Sequence, residues 1–468
     1  MKTSIKISTL LIFAVSALIH SSSVSAQDSF TLPEYEKFTL ENGVTVYLME
    51  QHEVPVISVS VAFSEAAAIN DGSSPGLANM TASALLFGTE NYTKSEIEEQ
   101  VDYLGASIFT LAGKEYAALV SRFASKDTDV MLNIIQELIT SPKFDEEELE
   151  NAKQRAILGL AQSKESPGSV ISDYFNGFLY GDHPYSNPVN GTKSGLESIG
   201  REEVVAFYES MYRTDKTAIV VVGDFETKEM KSTIENAFKG WQTSSSAKTP
   251  TLNTPKFGFN SPRVLLVNKD NATETTFYIG GKGVPRSNPD YVALTVLNTV
   301  LGGRFTSWLN DALRINSGLT YGARSRFVNQ RYSGTFQIST FTANETTEPA
   351  IDLALAVYDS LHTTGINKET LESAKNYVKG GFPPDYETTG SLAQLLISMY
   401  IYEFDESFIN TFQKNVDQLD VAKAKMLIEK YFPKENLQFV LIGKAEAIKD
   451  IAAKYGTVSN KEILDEGF

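Results

Sequence analysis

The chain has 468 residues, 42% of them hydrophobic and 21% charged, which is the balance of a globular protein rather than a disordered one. Lys and Arg number 41 against 58 Asp and Glu, a formal net charge of −17 that argues against sequence-independent nucleic-acid binding. With no cysteine, the sequence excludes disulfides, thiolate metal sites and cysteine nucleophiles, and four histidines leave few imidazoles for a metal centre.

At roughly 100–200 residues per domain, the length holds about two to four domains. Residues 1–26 read as a signal peptide: Lys2 and Lys6, an apolar run over 10–19, then Val24-Ser25-Ala26 as a cleavage site. The run is shorter than the ~20 residues that span a bilayer, and no later stretch is apolar enough to do so. A periplasmic or secreted protein beginning near Gln27 is expected. His52, His183 and His362 then remain, none at metal-ligand spacing from a second ligand. Each reads as a surface or capping residue, His362 in a loop-like context.

Residues 37–51, KFTLENGVTVYLMEQ, alternate around Asn42-Gly43, a strong hairpin signal. A strand is expected over 55–63 and helices over 76–86, 94–104, 127–139 and 145–162. A helix at 201–212 leads into the apolar strand 217–222, closed by Gly223-Asp224. The order then returns: strands at 263–267 and 276–280, a helix at 291–301, a strand at 334–341, helices at 368–378 and 422–431, and the strand 437–442 closed by Gly443. Residues 207–224 and 427–444 share one layout of amphipathic helix, aromatic, turn, apolar strand and glycine. Gly223 and Gly443 stand 220 residues apart, the spacing of a duplicated domain rather than a solenoid. The polar stretch TSSSAKTPTLNTP at 243–255 reads as linker. The pattern gives an α+β protein: domains at 27–242 and 261–468, joined by 243–260, each a mainly antiparallel sheet covered by helices.

From Gly76 the sequence reads GLANMTASALLFGT. Further on come GDHPYSNPVNGT (181–192), LGGRFTSWLNDALRINSGLTYGARSRF (301–327) and LESAKNYVKGGFP (371–383). In this order and spacing they resemble the M16 (pitrilysin/insulinase-like) zinc peptidases over nearly the whole chain. The resemblance implies two homologous domains closing as a clamshell around a peptide chamber, the LuxS/MPP-like metallohydrolase fold.

In that family an HxxEH helix binds zinc through two histidines at i and i+4, and its Glu takes a proton from the attacking water. Here the corresponding positions hold Asn79, Ala82 and Ser83. The third ligand would fall near Leu160, and no acidic side chain stands between Asn151 and Lys164. No metal is therefore expected in this chain. In the second half, LRINSGLTY (313–321) resembles the segment whose Arg and Tyr contact substrate, and the matching residues are Arg314 and Tyr321. Residues 105–112 resemble the edge strand to which substrate adds, with Phe109-Thr110 where the family has Asn-Ala.

The resemblance thus implies the non-zinc-binding subunit of a heteromeric periplasmic peptidase of the M16B type. It would donate Arg314 and Tyr321 to peptide hydrolysis by an HxxEH-bearing partner that carries zinc, and be inactive alone. The alternative is a peptide-binding or assembly scaffold without a catalytic role. A self-sufficient serine hydrolase finds no support, since no G-x-S-x-G elbow is present.

Overall fold

The structure is a computed structural model that describes residues 30–242 and 252–468. The expected signal peptide and residues 243–251 of the expected linker lie outside the described residues; 252–260 carry neither helix nor strand.

The first half contains β1 (Glu36–Thr39), β2 (Thr45–Glu50), β3 (Val56–Phe63), β4 (Ser107–Ala112), β5 (Ala117–Ala124) and β6 (Thr217–Gly223). Its helices are α1 (Leu77–Ala84), α2 (Lys94–Tyr103), α3 (Thr128–Thr140), α4 (Glu146–Ser163), α5 (Pro167–Tyr180), α6 (Lys193–Glu197), α7 (Arg201–Met211) and α8 (Thr227–Phe238). The second half contains β7 (Arg263–Asn268), β8 (Glu274–Lys282), β9 (Arg324–Asn329), β10 (Gly334–Ala343), β11 (Gln438–Gly443) and β12 (Thr457–Glu462). Its helices are α9 (Tyr291–Leu301), α10 (Trp308–Asn310), α11 (Thr347–Thr363), α12 (Lys368–Gly381), α13 (Thr389–Tyr402), α14 (Glu406–Asn410), α15 (Phe412–Asp417), α16 (Val421–Tyr431) and α17 (Ala445–Ala452).

Each half forms one sheet, in the orders β1-β2-β6-β3-β5-β4 and β12-β7-β11-β8-β10-β9. The expected duplication is present over five strands. β2–β6 and β7–β11 are the matching parallel pairs, and the remaining shared pairings are antiparallel. The sixth position breaks the repeat: β1 joins β2 antiparallel through the Asn42-Gly43 hairpin, whereas β12 joins β7 in parallel.

The core explains why β6 and β11 are buried at every position and apolar through their middles. Val46, Leu48, Val59, Val61, Ile219 and Val221 turn one face of the first sheet to that half's own helices. Tyr47, Met49, Val220 and Val222 turn the other face to α13, a helix of the second half. There β3 shows only Ser58, Ser60 and Ala62, small side chains that let α13 approach, and Ser58 Oγ meets Thr389 Oγ1 at 2.8 Å. The exchange is mutual. α5, from the first half, lays Val170, Ile171, Tyr174 and Phe175 on Leu265, Val267, Tyr278, Val440 and Ile442 of the second sheet. A strand buried on both faces loses its alternation and becomes a continuous apolar run.

The halves also meet in a polar joint between hairpin turns. Glu115, only 5% exposed, accepts from Tyr185 Oη at 2.5 Å and from the Arg331 backbone N–H at 2.7 Å. Burial pushes its carboxyl above the ordinary value despite these donors.

Candidate functional site

α1 carries Asn79, Ala82 and Ser83. Asp71 fixes its start, one carboxylate oxygen accepting from Gly76 N–H and the other from Ala78 N–H, both at 2.7 Å. Gly76 has φ 104°, and a Cβ there would lie 2.9 Å from the Cα of Gly191, so the GLAN and PVNGT stretches touch backbone to backbone. Asn79 and Ser83 lie one turn apart, but the Ser83 hydroxyl donates to the Asn79 carbonyl at 2.9 Å. Ala82 is 1% exposed within the apolar core. α4 packs on α1, and its Ala152, Ala156, Ile157 and Leu160 join the same core.

The donors at α1 therefore do not fit a zinc ion: an amide, a committed hydroxyl, a methyl and an apolar neighbour. Elsewhere among the described residues, no group of three His, Asp or Glu side chains is placed to hold a metal. The three histidines of the described residues stand apart from one another in the fold. His52 follows β2 and pairs with Asp224 at 2.8 Å, which raises its pKa above the ordinary value. His183 Nδ1 accepts from Tyr185 N–H in a turn, and Nε2 lies 2.8 Å from the Asn253 carbonyl oxygen. His362 departs from expectation: it is not in a loop but buried in the last turn of α11, edge-on to Tyr358.

β4 is the edge strand of the first sheet, with Phe109 49% exposed on the face that α13 covers further along. Its counterpart β9 is closed at one point. Ser325 N–H donates to the Gly302 carbonyl and the Ser325 carbonyl accepts from Asn298. Gly302 is required there, because a Cβ would lie 2.1 Å from Ser325 N. This close approach at the end of α9 delivers Arg304 and Phe305 beside Arg314.

Arg314 and Tyr321 share a cleft of about 830 Å³, walled by the start of α5, the end of α9 and residues 310–322, and floored by the second sheet. Arg314 stands on a π-helical turn, Asp311–Asn316, in which Ser317 N–H reaches back to the Ala312 carbonyl. Such widened turns are rare and recur at functional sites. The Arg314 guanidinium lies over the Tyr321 ring at 4.4 Å and the Phe305 ring at 4.9 Å. Stacking holds the guanidinium plane while leaving its N–H edges free to donate. Tyr321 is 75% exposed.

The same cleft also holds Arg304, Arg324 and Arg326, which the sequence reading passed over. All lie within residues 301–327, and that concentration of cations in an acidic chain was the available signal. Arg324 and Arg326 face the cleft from alternate positions of β9, while Ser325 points into the core.

Residues 46–193 match the family model described as Insulinase (Peptidase family M16), and residues 198–378 match that described as Peptidase M16 inactive domain. Among known proteins, the uncharacterized zinc protease YmxG of Bacillus subtilis is 23% identical over 356 residues, 76% of this chain and 85% of its own. A non-peptidase homolog YmxG of Helicobacter pylori is 21% identical over 408 residues, 87% of this chain and 93% of its own. Among solved structures, a peptidase M16 inactive domain from Pseudomonas fluorescens superposes with a TM-score of 0.81 at 24% identity, over 88% of this chain and 98% of its own. A protease from Helicobacter pylori gives 0.82 at 21% identity, over 88% of this chain and 100% of its own. These structural likenesses establish the two-domain α+β fold.

Proposed function

We propose, from the premise that this chain belongs to the M16 peptidase family, that it is the non-metal-binding subunit of a heteromeric M16 peptidase and acts from the periplasm or another exported location. An HxxEH-bearing homologue would supply the zinc and the attacking water. This chain would close the peptide chamber and present Arg314 and Tyr321 to the substrate. The observation that carries the reading is the contrast between the two halves. The α1 position offers no metal donors, while Arg314 stands on a π-helical turn against the Tyr321 and Phe305 rings and lines an open cleft. Two strong donors aimed at a carbonyl stabilise the negative charge that develops as it is attacked.

The test is co-expression with an HxxEH-bearing homologue, then peptide turnover by the purified complex. Arg314→Ala is expected to lower kcat by about a hundredfold, the usual cost of one oxyanion donor. The chain alone should show neither turnover nor stoichiometric zinc. Undiminished turnover by the Arg314→Ala complex would sink the proposal. The reading as a peptide-binding or assembly scaffold draws on the relative named a non-peptidase homolog. It predicts that no complex with an HxxEH homologue depends on either residue.

A further inference from the structure

The whole chain is acidic, yet the lining of the Arg314 cleft contains Arg304, Arg314, Arg324 and Arg326 and no Asp, Glu or Lys. Four of the eleven arginines in the sequence converge there. Their fixed partners leave the charge largely uncompensated. Arg304 donates to Ser373 Oγ at 3.0 Å, and its Nε is buried without a partner among the described residues. Arg314 stacks on rings. Arg326 faces Gln337 and Tyr278, and near Tyr278 lies Asp173, a partly buried carboxylate set against Lys114. Arg324 is exposed.

We propose that this cleft recognises extended peptide segments bearing carboxylates at alternate positions, a substrate class for the peptide-handling role above and dependent on that reading only for its purpose. The register follows from strand geometry. Arg324 and Arg326 stand two residues apart on one strand, about 6.7 Å. An extended segment lying along β9 presents every second side chain to the sheet at that same interval. The exposed Arg324 guanidinium can take a carboxylate through two parallel N–H donors, while Arg326, facing the Gln337 oxygen, offers its charge to the next one, with Arg304 and Arg314 lining the same cleft. The exposed rings of Phe305, Tyr321 and Tyr377, 61%, 75% and 56% accessible, offer apolar surface to the residues between. The Ser325–Gly302 contact blocks strand addition at that point, so affinity rests on side chains rather than on backbone pairing. The local charge of the cleft is thus opposite in sign to the net charge of the chain.

The test is fluorescence anisotropy on the purified chain without any partner. The probes are a labelled peptide with Glu at alternate positions and its counterpart with Lys. The Glu peptide should bind, weaken steeply with added salt, and lose about tenfold or more in affinity to Arg324→Gln/Arg326→Gln, since each replaced guanidinium removes a charge-assisted pair. Arg324→Glu alone, at an exposed position, should give a comparable loss with an unchanged thermal midpoint. Equal binding of the Lys peptide, unaltered binding by both variants, or displacement of the Glu peptide by free glutamate at the same carboxylate concentration would overturn the proposal. Because no partner and no turnover enter this measurement, its failure is distinct from failure of the Arg314→Ala test.

Discussion

Ala82 is 1% exposed and belongs to the apolar core shared by α1 and α4. Restoring the family's base there would force a carboxylate into a space shaped for a methyl within the apolar core. Ala82→Glu is therefore expected to destabilise the chain by about 3 kcal/mol, the cost of an unpaired buried polar group together with overpacking. Urea unfolding measures the loss, and metal analysis of the same variant should show no gain of zinc. A stability change under ~0.5 kcal/mol would mean that the position can open to solvent. This part of the site was readable in the sequence because residue identity decides it: no arrangement makes a base of alanine. The arginine cluster was not readable in the same way. Arg304 joins Arg324 and Arg326 because Gly302 lets the end of α9 close on β9, and that is a statement about backbone approach.

At the scale of elements, the repeat of helix, turn and apolar strand was visible, and the elements assigned from it lie within a few residues of those observed. α5, α11 and α13 were not assigned, and two of these are the exchanged helices. α13, TGSLAQLLISMYIY, is apolar nearly all round because a sheet and neighbouring helices enclose it, so it lacks the one-sided period that marks a surface helix. α5 starts at Pro167 and carries glycine and aromatic residues, a composition with weak helical propensity that packing overrides. Phe175 on α5 is fully buried and meets Tyr278 edge-on at 5.6 Å. Phe175→Ala should cost about 3–5 kcal/mol, and the loss should be registered by probes in both halves.

His362 at the end of α11 gives a second expectation at this scale. Both ring nitrogens are buried and lack partners among the described residues. Burial, helped by Lys434, lowers its pKa below the ordinary 6.5, so the neutral ring is the folded form. Stability from this group is full above the unfolded value and is lost as pH falls through the lower folded value. His362→Phe should flatten the decline of the urea midpoint below about pH 6.5. At pH 7 it should add about 1 kcal/mol by removing two unsatisfied polar atoms.

In the whole molecule, the boundary drawn by sequence and the boundary drawn by packing differ. The homologous halves follow one another along the chain, yet each half contributes a helix to the other's sheet. The crossings continue at the periphery: Leu32 N–H donates to Asn410 Oδ1 at 2.9 Å, and Lys164 Nζ donates to the Asp465 carbonyl at 2.6 Å. Neither sheet then has both faces covered by its own half. An ordinary interface between domains buries modest, fairly polar surface and permits relative motion, whereas this one is the apolar core itself. A protease site inserted between Ser246 and Ala247, once cut, should therefore leave the two fragments together. Gel filtration after cleavage is expected to give one peak at the size of the intact chain, and urea should release both fragments in one transition. If the fragments separate in buffer, the exchanged helices do not hold the halves, and any chamber between them could open without unfolding. If they stay joined, changes in access to the cleft must come from residues 302–321 rather than from rotation of one half against the other.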